Sequence, residues 1–176
     1  MAVAARREIG EMKFSRLLKH LLLPGWFVQR VFARADLAAI GKAVAVCEKS
    51  HRGELRFVVE GPLPVSVLWR AMSPRTRAVD LFSALRIWDT EENSGILIYV
   101  QLVDRRVEIL ADRGIAARVP QAEWDAICRA MEASFRSGEW RPGALQAVTR
   151  AGELLACHFP AGADNPNELP DQPLML

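Results

Sequence analysis

Between Gly95 and Ala111 lie two apolar, β-branched runs, "GILIYVQLV" and "RRVEILA", separated only by Asp104. Strands this close can pair only as an antiparallel hairpin, because a parallel pair needs a crossover of a dozen residues or more. A third run with strand character, "ELRFVVE", comes earlier, with a helical stretch between it and the hairpin. A strand, a crossover helix and a second strand lie parallel with a right-handed connection, so the hairpin adds an antiparallel neighbour. The chain is thereby committed to a small mixed sheet.

The other long apolar segments have helical period and must cover that sheet. Ser73-Pro74 supplies an N-cap and a first-turn proline, after which Ala78, Leu81, Phe82 and Leu85 form a stripe. Leu37, Ile40, Val44 and Cys47 mark an earlier helix, with Asp36 near its start and Gly53 just past its end. Trp124, Ile127, Met131 and Phe135, between Pro120 and Gly138, mark a later one, and "RPGALQAVTRAGELLACHF" a last. Residues 61–72 are interrupted by proline and read as a loop with a helical turn. The order helix, strand, helix, strand, strand, helix, helix predicts a small mixed sheet covered by helices. At 176 residues the chain suffices for one compact domain with a few extra pieces.

Charge is distributed unevenly. Of 23 basic and 21 acidic residues, residues 1–34 hold seven Lys or Arg and only Glu8 and Glu11 as acids. The net charge of +2 points to no nucleic-acid partner. In this arm Phe14, Leu17, Leu18, Leu21 and Leu22 recur at helical spacing among Lys13, Arg16, Lys19 and His20, until Pro24-Gly25 stops the pattern. Residues 1–34 are therefore expected to be a basic amphipathic arm docked on its own domain, with a membrane foot as the other reading. Residues 35–160 are expected to be the α/β domain and 161–176 a polar tail. The run "LLLPGWFV" is too short to span a bilayer and has no secretory cleavage site. Cys47, Cys128 and Cys157 are odd in number and far apart, which fits neither a disulfide framework nor a zinc knuckle. The expectation is a cytoplasmic protein.

Signatures of established chemistry are missing from the sequence. Asp89, Glu91, Asn93 and Gly95 have the rhythm of an EF-hand loop, but Ser94 stands where the glycine belongs and Val100 where the bidentate glutamate belongs. Cys47 and Arg52 are one residue too close for a cysteine-phosphatase loop, and that loop would follow a helix instead of preceding one. No phosphate-binding glycine loop or nucleophile elbow occurs. Hairpin geometry nonetheless gathers polar residues. Pairing outward from Asp104 sets Asp112 opposite the start of the preceding strand, near Asn93, and a parallel first strand brings Glu54 to the same end, with Arg113 following directly. Glu54, Asn93 and Asp112 offer oxygen ligands to a divalent cation such as calcium, and Arg113 suits a phosphate. Glu60, Asp104 and Arg105 fall at the opposite end, where ligands of open α/β sheets usually bind. Turn and strand-end roles explain the same residue types, so the sequence does not choose between the ends.

Three stretches, "CEKSHRGELRFVVE", "FSALRIWDTEENSGILIYVQLVDRRVEILADRGI" and "HFPAGADNPNELPD", resemble the TPM-domain family, over roughly residues 35 to 171. The likeness is to its short bacterial branch, and "SRLLKHL" also looks like that branch. The resemblance implies an α/β/α sandwich often labelled phosphatase-like, with weak acid phosphatase activity or calcium binding in some members. It also implies companionship with LemA-type membrane proteins, through residues 12–34 in this chain. Carried over by position, the family's acidic and amide pattern falls on Glu54, Asn93, Asp104 and Asp112, whereas Glu92 and Ser94 stand where His and Asn are expected. Two functions follow as expectations. One is a non-catalytic binding or adaptor domain near a membrane. The other is a metal-assisted phosphomonoesterase with Asp112, Asn93 and Glu54 as ligands and Arg113 on the phosphate.

Overall fold

A computed structural model describes residues 15–70, 72–162 and 165–176. Lys13 and Phe14, assigned to the helix of the arm, lie outside this range. Helix α1 (15–22) ends before Pro24-Gly25, α2 (Phe27–Val31) follows, and α3 (Arg34–Cys47) starts where the Asp36 carboxylate accepts the Ala33 N–H at 3.0 Å. Strand β1 (Leu55–Glu60) leads through the short α4 (Val65–Trp69) into α5 (Pro74–Ala84). Ser73 caps α5 as its sequence requires, its hydroxyl accepting the Thr76 N–H at 3.0 Å.

The hairpin is present in the expected register. Strands β2 (Ile96–Gln101) and β3 (Arg106–Ala111) pair antiparallel from Gln101↔Arg106 to Ile96↔Ala111, and β1 pairs parallel with β2. A single turn, α6 (Arg113–Ala116), comes next, and then α7 (Gln121–Arg136) and α8 (Trp140–His158). Gly138, between them, has φ +79°, a conformation that favours glycine. The last segment, read from sequence as a polar tail, ends in a short strand β4 (Leu174–Met175) parallel to β1, giving sheet order β3-β2-β1-β4.

Period-two alternation along the strands divides the core into two layers. Leu55, Phe57, Val59, Ile96, Ile98 and Val100 face α3, α7 and α8, while Val58, Leu97 and Tyr99 face α5. Helices on both faces of a mixed four-stranded sheet agree with the element order and make the α/β/α sandwich that the resemblance implies. The described part of the arm joins the core at Val28 and Phe32. Among the described residues no helix is long and apolar enough to cross a membrane.

Candidate functional site

At the N-terminal end of β2 the expected neighbours do meet. The Asp112 N–H donates to Gly95 O at 2.9 Å, and the Asp112 carboxylate caps α6 by accepting the Arg113 N–H at 2.7 Å. Asn93 takes φ 53°, a left-handed conformation that asparagine tolerates better than most residues. Its side-chain oxygen accepts from Arg113 Nε at 2.7 Å, and its carbonyl accepts the Gly114 N–H at 2.9 Å. Position 114 has to be glycine for this approach, because a Cβ there would stand 2.3 Å from Glu92 O. Glu54 begins the adjacent strand, its carbonyl accepting the Ile96 N–H at 2.8 Å.

The side chain of Glu54, however, turns away from Asp112. It is buried and accepts the backbone N–H groups of Glu168 and Leu169 at 3.1 and 3.0 Å. Glu54, Asn93 and Asp112 therefore share one end of the sheet without composing a cation cage. Their oxygens are engaged by backbone and arginine donors, and Asp112 Oδ2 alone is buried without a partner. Among the described residues no group of three or more His, Cys, Asp or Glu side chains is disposed to hold a metal ion. The calcium implied by the resemblance finds no fitting donor set in these three residues.

Glu54 belongs instead to a cluster of acids that sequence reasoning missed. Glu48, on the buried side of the turn after α3, accepts the Leu55 N–H at 3.0 Å and is hydrogen-bonded to Asp171. Burial, reinforced by Glu54 and Asp171, pushes the Glu48 carboxyl up to about 8 despite the Leu55 N–H. Burial also raises Glu54 to about 7, against the two backbone donors that favour its charged form. The signal was available in part, since Glu48 continues the buried Ile40–Val44 stripe at four-residue spacing. Asp171 could not be found, because only folding brings it to this end of the sheet.

Asp104 lies at the opposite end, apart from the other four expected residues. It anchors α1. Arg16 Nη2 and Nε reach its carboxylate at 2.7 and 3.0 Å, and Arg16 Nη1 donates to Met72 O at 2.8 Å. His20, only 3% exposed, accepts the Leu63 N–H on Nδ1 at 2.9 Å, so its ring proton sits on Nε2 and faces Asp104 Oδ1 at 3.1 Å. Burial alone would raise the Asp104 carboxyl, but the hydrogen bonds from His20 and Arg16 and the Arg16 charge outweigh it and hold the carboxyl below its usual value. Beside it, Glu60 is buried under a fork of contacts from Arg77 and a 2.6 Å hydrogen bond from the Tyr99 hydroxyl.

This anchoring turns much of the apolar stripe of α1 toward solvent. An amphipathic helix ordinarily buries its apolar stripe. Here Arg16 and His20 turn inward, and Leu18, Leu21, Leu22 and Trp26 are exposed by 46%, 58%, 72% and 58%. The 63–72 segment, to which α1 is fastened on either side of α4, exposes Val65 and Trp69 by 47% and 78%. Lys19, Arg30 and Arg70 are exposed in the same segments.

A family profile described as the TPM domain matches residues 28–154. Among solved structures, the chain is similar to that of the BA42 protein from the psychrophilic bacterium Bizionia argentinensis, at 29% identity and TM-score 0.72, over 82% of this chain and 95% of that one. It also shares the fold of the N-terminal domain of a protein from P. gingivalis, at 16% identity and TM-score 0.58, over 78% and 90% of the two chains. No curated protein matches it.

Proposed function

The chain belongs to the TPM-domain family, and from that premise we propose that it is a non-catalytic binding domain whose working surface is the outward face of α1, the 23–26 turn and α4, docked on an anionic bilayer. The single observation that carries this reading is the orientation of α1. A helix held by a partly buried ion pair at Asp104 is fixed with Leu18, Leu21 and Leu22 turned to solvent. Exposed aliphatic side chains with flanking Lys and Arg suit the interfacial region of a bilayer with anionic lipid, and Trp26 and Trp69 suit the headgroup boundary. A LemA-like membrane protein would meet the same face.

Flotation with vesicles containing phosphatidylserine tests the reading. The chain rises with these vesicles and less with pure phosphatidylcholine, and L21S/L22S/W69S stays at the bottom. Equal flotation of the triple variant would sink the proposal. Binding to a LemA-type protein without binding to lipid would move the occupant from bilayer to protein.

A phosphomonoesterase reading is favoured by one observation, the unpartnered Asp112 Oδ2 beside Arg113. Against it, Glu54 is engaged elsewhere, its carboxylate taking the N–H groups of Glu168 and Leu169. Hydrolysis of p-nitrophenyl phosphate that is abolished by Asp112→Asn would establish this alternative, and hydrolysis unaffected by that change would end it.

A further inference from the structure

Beyond the C-terminal end of β2 and around the β2–β3 turn, at the opposite end of the sheet from Asn93 and Asp112, lies a cavity of about 520 Å³. Its size falls within the range of small-molecule sites, and its position is the one at which open α/β sheets usually bind ligands. The apolar wall is built from Leu102, Phe135 and Trp140. That wall is rigid, since the Phe135 and Trp140 rings lie 4.7 Å apart and Phe32 packs edge-on against both at 5.9 and 6.1 Å. The polar wall carries Arg105, Arg106 and Arg136.

These arginines lack a full set of counter-charges. Arg106 stands 3.9 Å from Glu132, whose carboxylate also takes the Val107 N–H, while Arg105 and Arg136 form no ion pair among the described residues. Asp104, at the rim, is already paired with Arg16. Arg105 further occupies a left-handed conformation, φ 53°, in a hairpin turn where glycine or asparagine is the ordinary choice. That backbone cost is accepted at a position that lines the cavity with an arginine.

We propose that this cavity binds a phosphomonoester on an apolar body, with the phosphate held by Arg105 and Arg136 and the body laid against Trp140. Guanidinium groups match phosphate geometry by bidentate hydrogen bonding, and a locked indole offers a flat face at low entropic cost. A lipid headgroup with the first part of its acyl chains and a free aromatic or terpenoid phosphate share this chemistry. The site is independent of the bilayer-docking face and can be tested with no bilayer present.

Calorimetric titration of the full chain with 1-naphthyl phosphate is expected to give single-site binding. 1-Naphthol and inorganic phosphate bind at least about tenfold more weakly, a difference of about 1.4 kcal/mol each. R105S/R136S loses at least about tenfold in affinity with an unchanged thermal midpoint, because both side chains are exposed. Monomeric dihexanoyl phosphatidic acid that displaces the naphthyl ester identifies a lipid source, and failure to displace it identifies a soluble one. The absence of naphthyl phosphate binding at millimolar concentration, or full affinity in R105S/R136S, overturns the proposal.

Discussion

Replacing Glu48 by Gln should make the protein more stable at alkaline pH, although it removes a buried, hydrogen-bonded side chain. The wild-type carboxyl is raised from 4.5 to about 8 by burial and by the neighbouring acids Glu54 and Asp171. Because the folded-state value lies above the unfolded one, the contribution of this group is fully present below the unfolded value. It is lost as pH rises through the folded value. Glu54, raised to about 7, acts in the same direction. At 1.36 kcal/mol per unit the Glu48 shift alone is worth at most about 5 kcal/mol, and coupling among the three acids reduces a realistic expectation to about 2–3 kcal/mol. Glutamine imitates the protonated state, since its carbonyl accepts the Leu55 N–H and its amide donates to Asp171 as the carboxylic acid does. Urea unfolding followed by tryptophan emission at about pH 5, 7 and 8.5 reads the difference directly. Wild type should lose about 2–3 kcal/mol between about pH 5 and 8.5, while E48Q loses less and exceeds wild type by about 2 kcal/mol at the upper end. A wild-type stability that is flat over this range, or an E48Q protein less stable than wild type at about pH 8.5, would refute the electrostatic reasoning.

Other contacts give separable outcomes. Asp104→Ala leaves the His20 ring proton and the Arg16 fork without their acceptor, a loss of about 2–4 kcal/mol in the docking of α1. Tryptic cleavage at Lys19 should then accelerate at least about tenfold, and an unchanged rate would mean that the ion pair does not hold the helix. Tyr99→Phe removes the 2.6 Å hydrogen bond to buried Glu60 and should lower stability by about 1–3 kcal/mol. Glu60→Ala should cost more, about 3–5 kcal/mol, because Arg77 loses its partner, and chemical denaturation that ranks the two in the reverse order contradicts this account.

Local rules made the central sheet legible in the sequence. A four-residue hairpin connection and period-two alternation fixed the β2–β3 register, which in turn placed Asp112 against Gly95 and Asn93. The Ile40–Val44 and Trp124–Phe135 stripes fixed the covering helices. Strand β4 was hidden because Leu174 and Met175 are only two residues in a proline- and asparagine-rich segment, and their strand state comes from the distant edge of β1. The side of α1 that docks was hidden for a related reason. Helical periodicity reports an apolar stripe but not the partly buried carboxylate of Asp104, which draws Arg16 and His20 inward. Direction was equally invisible at Glu54. Its place at the mouth of β1 was readable, but its carboxylate follows the N–H groups of Glu168 and Leu169, supplied by the far end of the chain.

Depth-dependent quenching reads whether the outward face of α1 and α4 enters a bilayer. Vesicles of phosphatidylserine and phosphatidylcholine with brominated acyl chains quench indoles that enter the interface. Quenching of the wild-type emission should be largely removed in W26F/W69F, with buried Trp124, half-buried Trp140 and exposed Trp88, which lies away from α1 and α4, remaining unquenched. Quenching that persists undiminished in W26F/W69F, or wild-type emission that brominated lipid leaves untouched, would contradict docking of this face on a bilayer.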